Sequence, residues 1–287
     1  MAYILGTIEF MSAEETQSTL VSVPPYHIAG ISAILSSVYA GRRMVQLPNF
    51  SPEAWLKLAI QENVSQAFLV PTMLQRIIEH VTNINETLHL PAMQAIAYGG
   101  GKMPHAVIEQ AMSLMPHVNF TNAYGLTETS STICLLDPDD HREAFESEKP
   151  AVRARLSSVG KPLPAVELEI RDDNNAPCGA GEAGYVFVRG EQVSGEYHGS
   201  GSLLDENGWF PTRDRGYLDD AGYLFLDGRA DDVIVRGGEN ISPGEIEDVL
   251  IEMSDIKDVA AVAVADNEWG EAVGVVIVPT DMTAPPE

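Results

Sequence analysis

The sequence of 287 residues predicts an α/β fold laid out in three successive sections, and three observations carry that prediction. Between Leu20 and about Thr121, short apolar runs alternate with helix-period stretches, the pattern of α/β units around a parallel sheet. Beyond about Pro150 the pattern becomes apolar/polar alternation broken by turn clusters, which is antiparallel β structure. From Gly228 a strand, a glycine turn and a proline-led helix follow one another, the opening of a small α+β section.

In the first section the spacing predicts strands at Leu20–Val23, Arg43–Leu47, Gln66–Leu69, Ala95–Tyr98 and Val118–Thr121. Helices are predicted over Ala29–Tyr39, Pro52–Glu62, Thr72–His80 and Pro104–Met115, two of them opening on proline, where a helix tolerates it best. The loops that precede these helices fall at strand carboxyl ends, the edge of an open α/β sheet where ligands bind. In the second section strands are predicted at Val166–Arg171, Gly184–Arg189, Gly216–Leu218 and Tyr223–Leu226. Asp219–Gly222, DDAG, reads as a hairpin turn, because it lacks the alternating ligand spacing of a calcium loop. In the third, Ser242 and Glu245 form a capping-box signature with Pro243 at the first helical position, and Val273–Val278 reads as a strand.

The apolar fraction of 45% is enough to bury a sizeable core. A net charge of -25, spread along the chain, argues against nucleic acid or an anionic membrane as partner, since like charges repel. No basic leader opens the chain and no apolar run nears the roughly 20 residues of a membrane span, so a cytoplasmic location is expected. Cys134 and Cys178 lack metal-site spacing and read as inert thiols. Any anionic ligand must be held by local amides, hydroxyls and a metal, against the global field.

The stretch Asn122–Ser130, NAYGLTETS, follows a predicted strand. Tyr124 offers a ring for stacking, Gly125 permits close backbone approach, Thr127 offers a hydroxyl and Glu128 is a hard oxygen ligand suited to Mg²⁺. Taken alone it is also what an ordinary turn looks like. His27 by itself is equally a satisfied core histidine, and Asp231 with Asp232 an exposed turn pair.

Five motifs change that balance: PPYHIAG at Pro24–Gly30, AYGGGKMP at Ala97–Pro104, YGLTE at Tyr124–Glu128, GWFPTRDRGYLDDAGYLFLDGRADDVI at Gly208–Ile234 and GGENISPGEIE at Gly237–Glu247. In this order they resemble the adenylate-forming superfamily of acyl-CoA synthetases, luciferases and nonribosomal adenylation domains, over nearly the whole chain. The resemblance implies an incomplete adenylate-forming large domain, with its parallel sheet and antiparallel β section, over residues 1–228. The hinge and the start of a small α+β C-terminal domain would follow over 229–287.

It implies further that Gly99, Gly100 and Gly101 line the adenine and acyl pockets, that Tyr124 and Gly125 lie at the adenine, that Thr127 meets the α-phosphate and that Glu128 holds Mg²⁺. Asp214, in TRD where the family usually has TGD, would accept hydrogen bonds from both ribose hydroxyls with Arg229 assisting, as suits an acceptor-only carboxylate and a vicinal diol. Arg213 in place of glycine is expected to crowd that turn. His27 would wall the acyl pocket, Asp231 would be the hinge, and Gly238 and Glu239 would approach the pantetheine channel.

The implied reaction joins a carboxylic acid, fatty or aromatic, to ATP to give an acyl-AMP, and then to CoA as a thioester. The family's phosphate loop would precede residue 1 and its C-terminal lysine would lie beyond Glu287, and loss of one preorganised group of this kind costs on the order of 10²–10³ in rate. Three readings follow: a ligase impaired as an isolated fragment, a non-catalytic nucleotide- or acyl-binding module, and one half of a split ligase whose N-terminal half is a separate polypeptide.

Overall fold

The computed structural model describes residues 2–84, 88–194, 196–197, 201–251, 253–266 and 269–281. The chain divides into two compact units, one of residues 1–168, 188–210 and 221–224 and the other of residues 169–187, 211–220 and 225–287.

The first unit is organised by a seven-stranded sheet of β1 (Ser18–Val21), β2 (Arg43–Gln46), β3 (Gln66–Leu69), β4 (Ala95–Gly99), β5 (Asn119–Leu126), β6 (Ser131–Leu136) and β7 (Lys161–Pro162), in the order β2-β1-β3-β4-β5-β6-β7. The first five run parallel, and β6 and β7 are added antiparallel. The connecting helices are α1 (Ala2–Thr7), α2 (Ile28–Ala40), α3 (Pro52–Gln61), α4 (Pro71–Asn83), α5 (His105–Leu114), α6 (Pro138–Glu146) and α7 (Pro150–Arg153).

Local chemistry explains where these helices begin and stop. The Ser51 hydroxyl accepts the Ala54 N–H at 3.2 Å ahead of Pro52, capping α3, and the Asp137 carboxylate does the same for Asp140 N–H ahead of Pro138. Gly41, at φ 73°, closes α2 in the left-handed conformation that glycine adopts most readily.

Alternation along the strands decides what each face of the sheet does. Leu20, Ala67, Leu69, Ile96, Tyr98 and Phe120 belong to the hydrophobic core, together with Trp55 of α3, Leu74 and Ile77 of α4 and Ile108 of α5. Their neighbours in sequence, Thr19, Gln66, Phe68, Ala97, Thr121 and Ala123, line a cavity. Because successive side chains point to opposite faces, the core and the cavity lie on opposite sides of one sheet.

Two expectations need correction here. The final parallel strand does not stop at Thr121 before a polar loop; β5 runs on to Leu126 and pairs with β6, shifting register between Tyr124 and Gly125. The polar character of NAYGL concealed a strand because this extension is only partly covered, and a half-buried strand tolerates such residues. Helix α6 was not expected either, although Asp137-Pro138 is a helix-start signal.

Further along come β8 (Val166–Arg171), β9 (Gly184–Gly190), a short antiparallel pair of β10 (Glu196–Tyr197) and β11 (Gly201–Ser202), β12 (Phe210–Leu218) and β13 (Leu224–Arg229). Strands β13-β12-β9-β8 make a four-stranded sheet, and Asp219–Gly222 is the hairpin turn between β12 and β13, with Gly222 at φ 82°. Strand β12 begins well before the expected Gly216 and alternates buried positions with half-buried or, at Arg213, exposed ones along PTRDRGY.

The rest of the second unit is β14 (Ile234–Arg236), β15 (Glu239–Ile241), α8 (Pro243–Ile251), β16 (Ile256–Asp266) and β17 (Gly270–Pro279), with sheet order β15-β14-β17-β16. The Ser242 hydroxyl, just ahead of Pro243, donates to the Asp227 carbonyl at 2.7 Å. No helix among the described residues is long and apolar enough to cross a membrane.

One polar contact sits inside the first unit. His141 of α6 is fully buried, and its Nδ1 lies 2.7 Å from the Asp137 carbonyl, which can only accept. The proton is therefore on Nδ1, and Nε2 accepts the Tyr98 hydroxyl of β4 at 2.8 Å. Burial pushes the imidazole down to about 4 from 6.5. The unfolded chain therefore binds the extra proton between those two values while the folded chain does not. Stability is full above pH 6.5 and declines as pH falls towards 4, by about 3 kcal/mol. Urea midpoints measured across that window are expected to drop in the parent chain, and the drop is expected to flatten in His141→Asn.

Candidate active site

The turn between β5 and β6 carries Thr127 and Glu128, and the main chain holds it from three sides. The Thr129 hydroxyl, fully buried, accepts the Leu126 N–H at 2.9 Å and lies 2.8 Å from the Ser131 carbonyl as donor. The Gln192 amide donates to the Thr129 and Thr132 carbonyls at 3.1 and 2.7 Å, and Ser194 N–H donates to the Glu128 carbonyl at 3.0 Å. Ser130 and Ser131 take positive φ, 54° and 104°, a conformation side chains adopt only when their surroundings enforce it. With its backbone fixed this way, the half-buried Glu128 and exposed Thr127 are presented from a rigid turn.

The glycines divide into two kinds. A Cβ on Gly99 would stand 2.2 Å from the Ala123 carbonyl oxygen, and one on Gly125 1.9 Å from that of Ser131, so both are required by close strand packing. Gly100, at φ 82°, and Gly101 have open space, with only Val70 and Pro71 at van der Waals distance. Gly100 and Gly125 line the cavity with His27, while Gly99 and Gly101 do not. Its volume is about 260 Å³, just under the usual range for small-molecule sites, roughly 300–1,000 Å³. His27 also caps α2, its Nδ1 accepting the Ala29 N–H at 3.2 Å.

In the second unit Asp214 of β12 is buried, and its N–H is held by the Thr212 hydroxyl at 3.1 Å, which itself donates to the Val186 carbonyl at 2.9 Å. Arg229 stands 3.8 Å from the Asp214 carboxylate. Asp231 lies in a short 3₁₀ turn, Ala230–Asp232, paired across 3.4 Å with Arg213. Gly237 and Gly238, at φ 61° and 90°, form the two-residue turn between β14 and β15, and exposed Glu239 follows.

Residues 2–198 match the AMP-binding enzyme family. The chain belongs to that family. It is 32% identical over 91% of its length to the 2-succinylbenzoate–CoA ligase of Oceanobacillus iheyensis, covering 51% of that protein. It therefore spans about half the length of the curated relatives it matches. Among solved structures, o-succinylbenzoate coenzyme A synthetase from Bacillus subtilis with ATP and a magnesium ion superposes with a TM-score of 0.77 at 30% identity, over 97% of this chain and 54% of the other. The amide bond synthetase from Marinactinospora thermotolerans superposes at 0.83 with 29% identity, over 100% of this chain and 55% of that one.

Within this adenylate-forming frame, the residues the sequence did not single out are those that hold the turn: Thr129, Gln192 and Ser194. Their one signal is chemical, since a threonine and a glutamine that are buried need partners, and their burial is not readable from the sequence. Among the described residues no three His, Cys, Asp or Glu side chains group as metal ligands. A lone carboxylate such as Glu128 suits Mg²⁺ only when substrate phosphates complete the shell, which is how that ion is usually held.

Arg213 stands where the family's pattern has glycine, and it takes φ 64°. Its exposed ion pair with Asp231 returns little. Arg213→Gly is expected to stabilise the chain by about 1 kcal/mol, the cost of a side chain in the left-handed region. Thermal denaturation of the two forms checks this; an unchanged or lowered midpoint would mean that the Arg213 side chain returns more than the strain costs.

Proposed function

We propose that this chain binds the adenosine part of ATP and the carboxylic acid that is joined to it, in a reaction that forms an acyl-adenylate and then a CoA thioester. The single observation that carries the reaction class is the 32% identity to a named CoA ligase over 91% of the chain. That relative's name also favours an aromatic over a fatty acid. CoA ligases supply the identity and an amide bond synthetase one of the structural likenesses, so the first step, common to carboxylate activation, is the firmer part of the reading.

In this reading Tyr124 stacks on the adenine and Asp214 accepts both ribose hydroxyls while Arg229 supplies donors beside it. The fixed turn holds the Thr127 hydroxyl for the α-phosphate, and His27 with Gly100 walls the acid. Bound Mg²⁺ would neutralise phosphate charge, with Glu128 as its protein ligand. No protein nucleophile is needed, because the work is positioning and charge stabilisation of an in-line displacement at phosphorus. Asp231 serves as the hinge between a large domain of residues 1–228 and a small domain of 229–287, and Gly238 and Glu239 lie by the incoming thiol.

Carboxylate-dependent AMP release from ATP, with and without CoA, is the direct test on the purified chain. Release with aromatic acids supports a ligase; AMP binding without release points to a module completed by a separate stretch of polypeptide, which copurification would reveal. Asp214→Ala and Tyr124→Ala are each expected to weaken AMP binding roughly tenfold, and unchanged affinity in both would remove the nucleotide assignment. Glu128→Gln is expected to abolish the Mg²⁺-dependent part of ATP binding while sparing AMP without metal; equal loss in both would assign Glu128 a structural role.

A further inference from the structure

Apart from the cavity and the β5–β6 turn, three side chains of the first unit form a relay of hydrogen bonds. Ser157 Oγ lies 3.1 Å from His105 Nδ1, and His105 Nε2 lies 3.1 Å from a Glu109 carboxylate oxygen. The carboxylate can only accept, so in the neutral imidazole Nε2 carries the ring proton and Nδ1 is left to accept from the Ser157 hydroxyl. Both distances fall within the reach required of a general base and of the group that orients it, about 2.6–3.2 Å. None of the three residues lines the cavity.

The fold holds this relay in place. His105 is the first residue of α5 and Glu109 stands one turn further on, so a single helix presents the base and its orienting carboxylate on the same face. Arg153 of α7 pairs with Glu109 and also donates to the Phe145 carbonyl at 2.9 Å, which limits the rotamer freedom of that carboxylate. Ser157 closes the 3₁₀ turn Ala154–Ser157, between buried Leu156 and buried Ser158. The Ser158 N–H and hydroxyl both donate to the Arg155 carbonyl, at 2.9 and 2.7 Å, and the Asn122 amide donates to the Ser158 carbonyl at 3.1 Å. The backbone next to Ser157 is therefore fixed, while Ser157 itself is exposed and open to a small molecule from solvent.

A serine that can pass its proton to a histidine, which a carboxylate orients in turn, is recognised by geometry and not by order along the chain. We propose that Ser157, His105 and Glu109 form a second active site, separate from the adenylate site, that hydrolyses small activated esters and thioesters. Ser157 Oγ adds to the acyl carbonyl as its proton passes to His105 Nδ1. Collapse expels the alcohol or thiol, which takes that proton and leaves an acyl-serine. Water then adds by the same route, releasing the carboxylic acid and restoring the hydroxyl. The oxyanion forms beside the start of α5, where no side chain caps the helix and the leading N–H groups are left as donors. Exposed as Ser157 is, the site suits a small acyl group on a good leaving group. This inference does not rest on the adenylate reading.

The test is release of p-nitrophenolate from p-nitrophenyl acetate by the full chain, with peptide mass mapping after treatment with a fluorophosphonate that labels nucleophilic serines, and with thermal midpoints as the check of fold. The parent chain is expected to release p-nitrophenolate above the buffer rate and to carry the label on Ser157. Ser157→Ala is expected to lose both, and His105→Asn to lower the rate roughly a hundredfold, as loss of a general base does. Glu109→Gln, which keeps an acceptor for Nε2, is expected to lower kcat by less than His105→Asn and to leave KM unchanged, as befits a positioning residue. Release no faster than in buffer, a rate retained in Ser157→Ala, or a label found only on other serines would each overturn the proposal. The label is mapped on the parent chain, so it decides the matter even where a variant fails to fold.

Discussion

The approach of two backbones at Gly125 is the constraint on which the site depends. Strand β5 leaves the parallel part of the sheet and takes up β6 antiparallel, and at the bulge the chains come so near that a Cβ on Gly125 would overlap the Ser131 carbonyl. Gly99 allows the same closeness between β4 and β5. Because these two positions carry no side chain, the end of β5 is held between neighbours on both sides, and the turn bearing Thr127 and Glu128 inherits that position. The hydroxyl of Thr129 and the amide of Gln192 finish the task by satisfying carbonyls that the bulge leaves over.

The period of two along the strands then separates stability from binding. One face gives Leu20, Leu69, Ile96, Tyr98 and Phe120 to the core, and the His141–Tyr98 contact ties α6 to it. The other gives Phe68 and otherwise small or polar residues to a cavity. Parallel strands buried on both faces ordinarily read as continuous apolar runs. Thr19, Gln66 and Thr121 interrupt those runs, and that interruption is the sequence-level mark of a face not packed as core.

Much of the first unit was legible because its signals are local. Proline placed the start of α3 to the residue, and apolar runs located the five parallel strands, although β1 begins two residues earlier than expected, at Ser18, and β5 runs on to Leu126. What escaped was decided by partners distant in sequence. Residues Asn122–Leu126 are strand because β6 lies beside them, and nothing within NAYGL says so. The Ser242 hydroxyl reaches the Asp227 carbonyl, fifteen residues earlier, which no local signal announces. Arg213 was expected to crowd a turn; the structure instead places it within β12, at φ 64°. The candidate site was found through motif order; the residues that fix its geometry, Gln192 and Ser194, lie outside every motif.

The charge of -25 sets the terms on which this chain can hold an anion. Long-range repulsion must be overcome by donors close to the ligand, and these are most effective where water is excluded, since both desolvation and attraction grow as the dielectric falls. Arg42, half-buried in the cavity wall, comes nearer that description than Arg229, whose side chain is exposed beside buried Asp214. Arg229 is balanced by a carboxylate, which suits a ligand that brings hydroxyls.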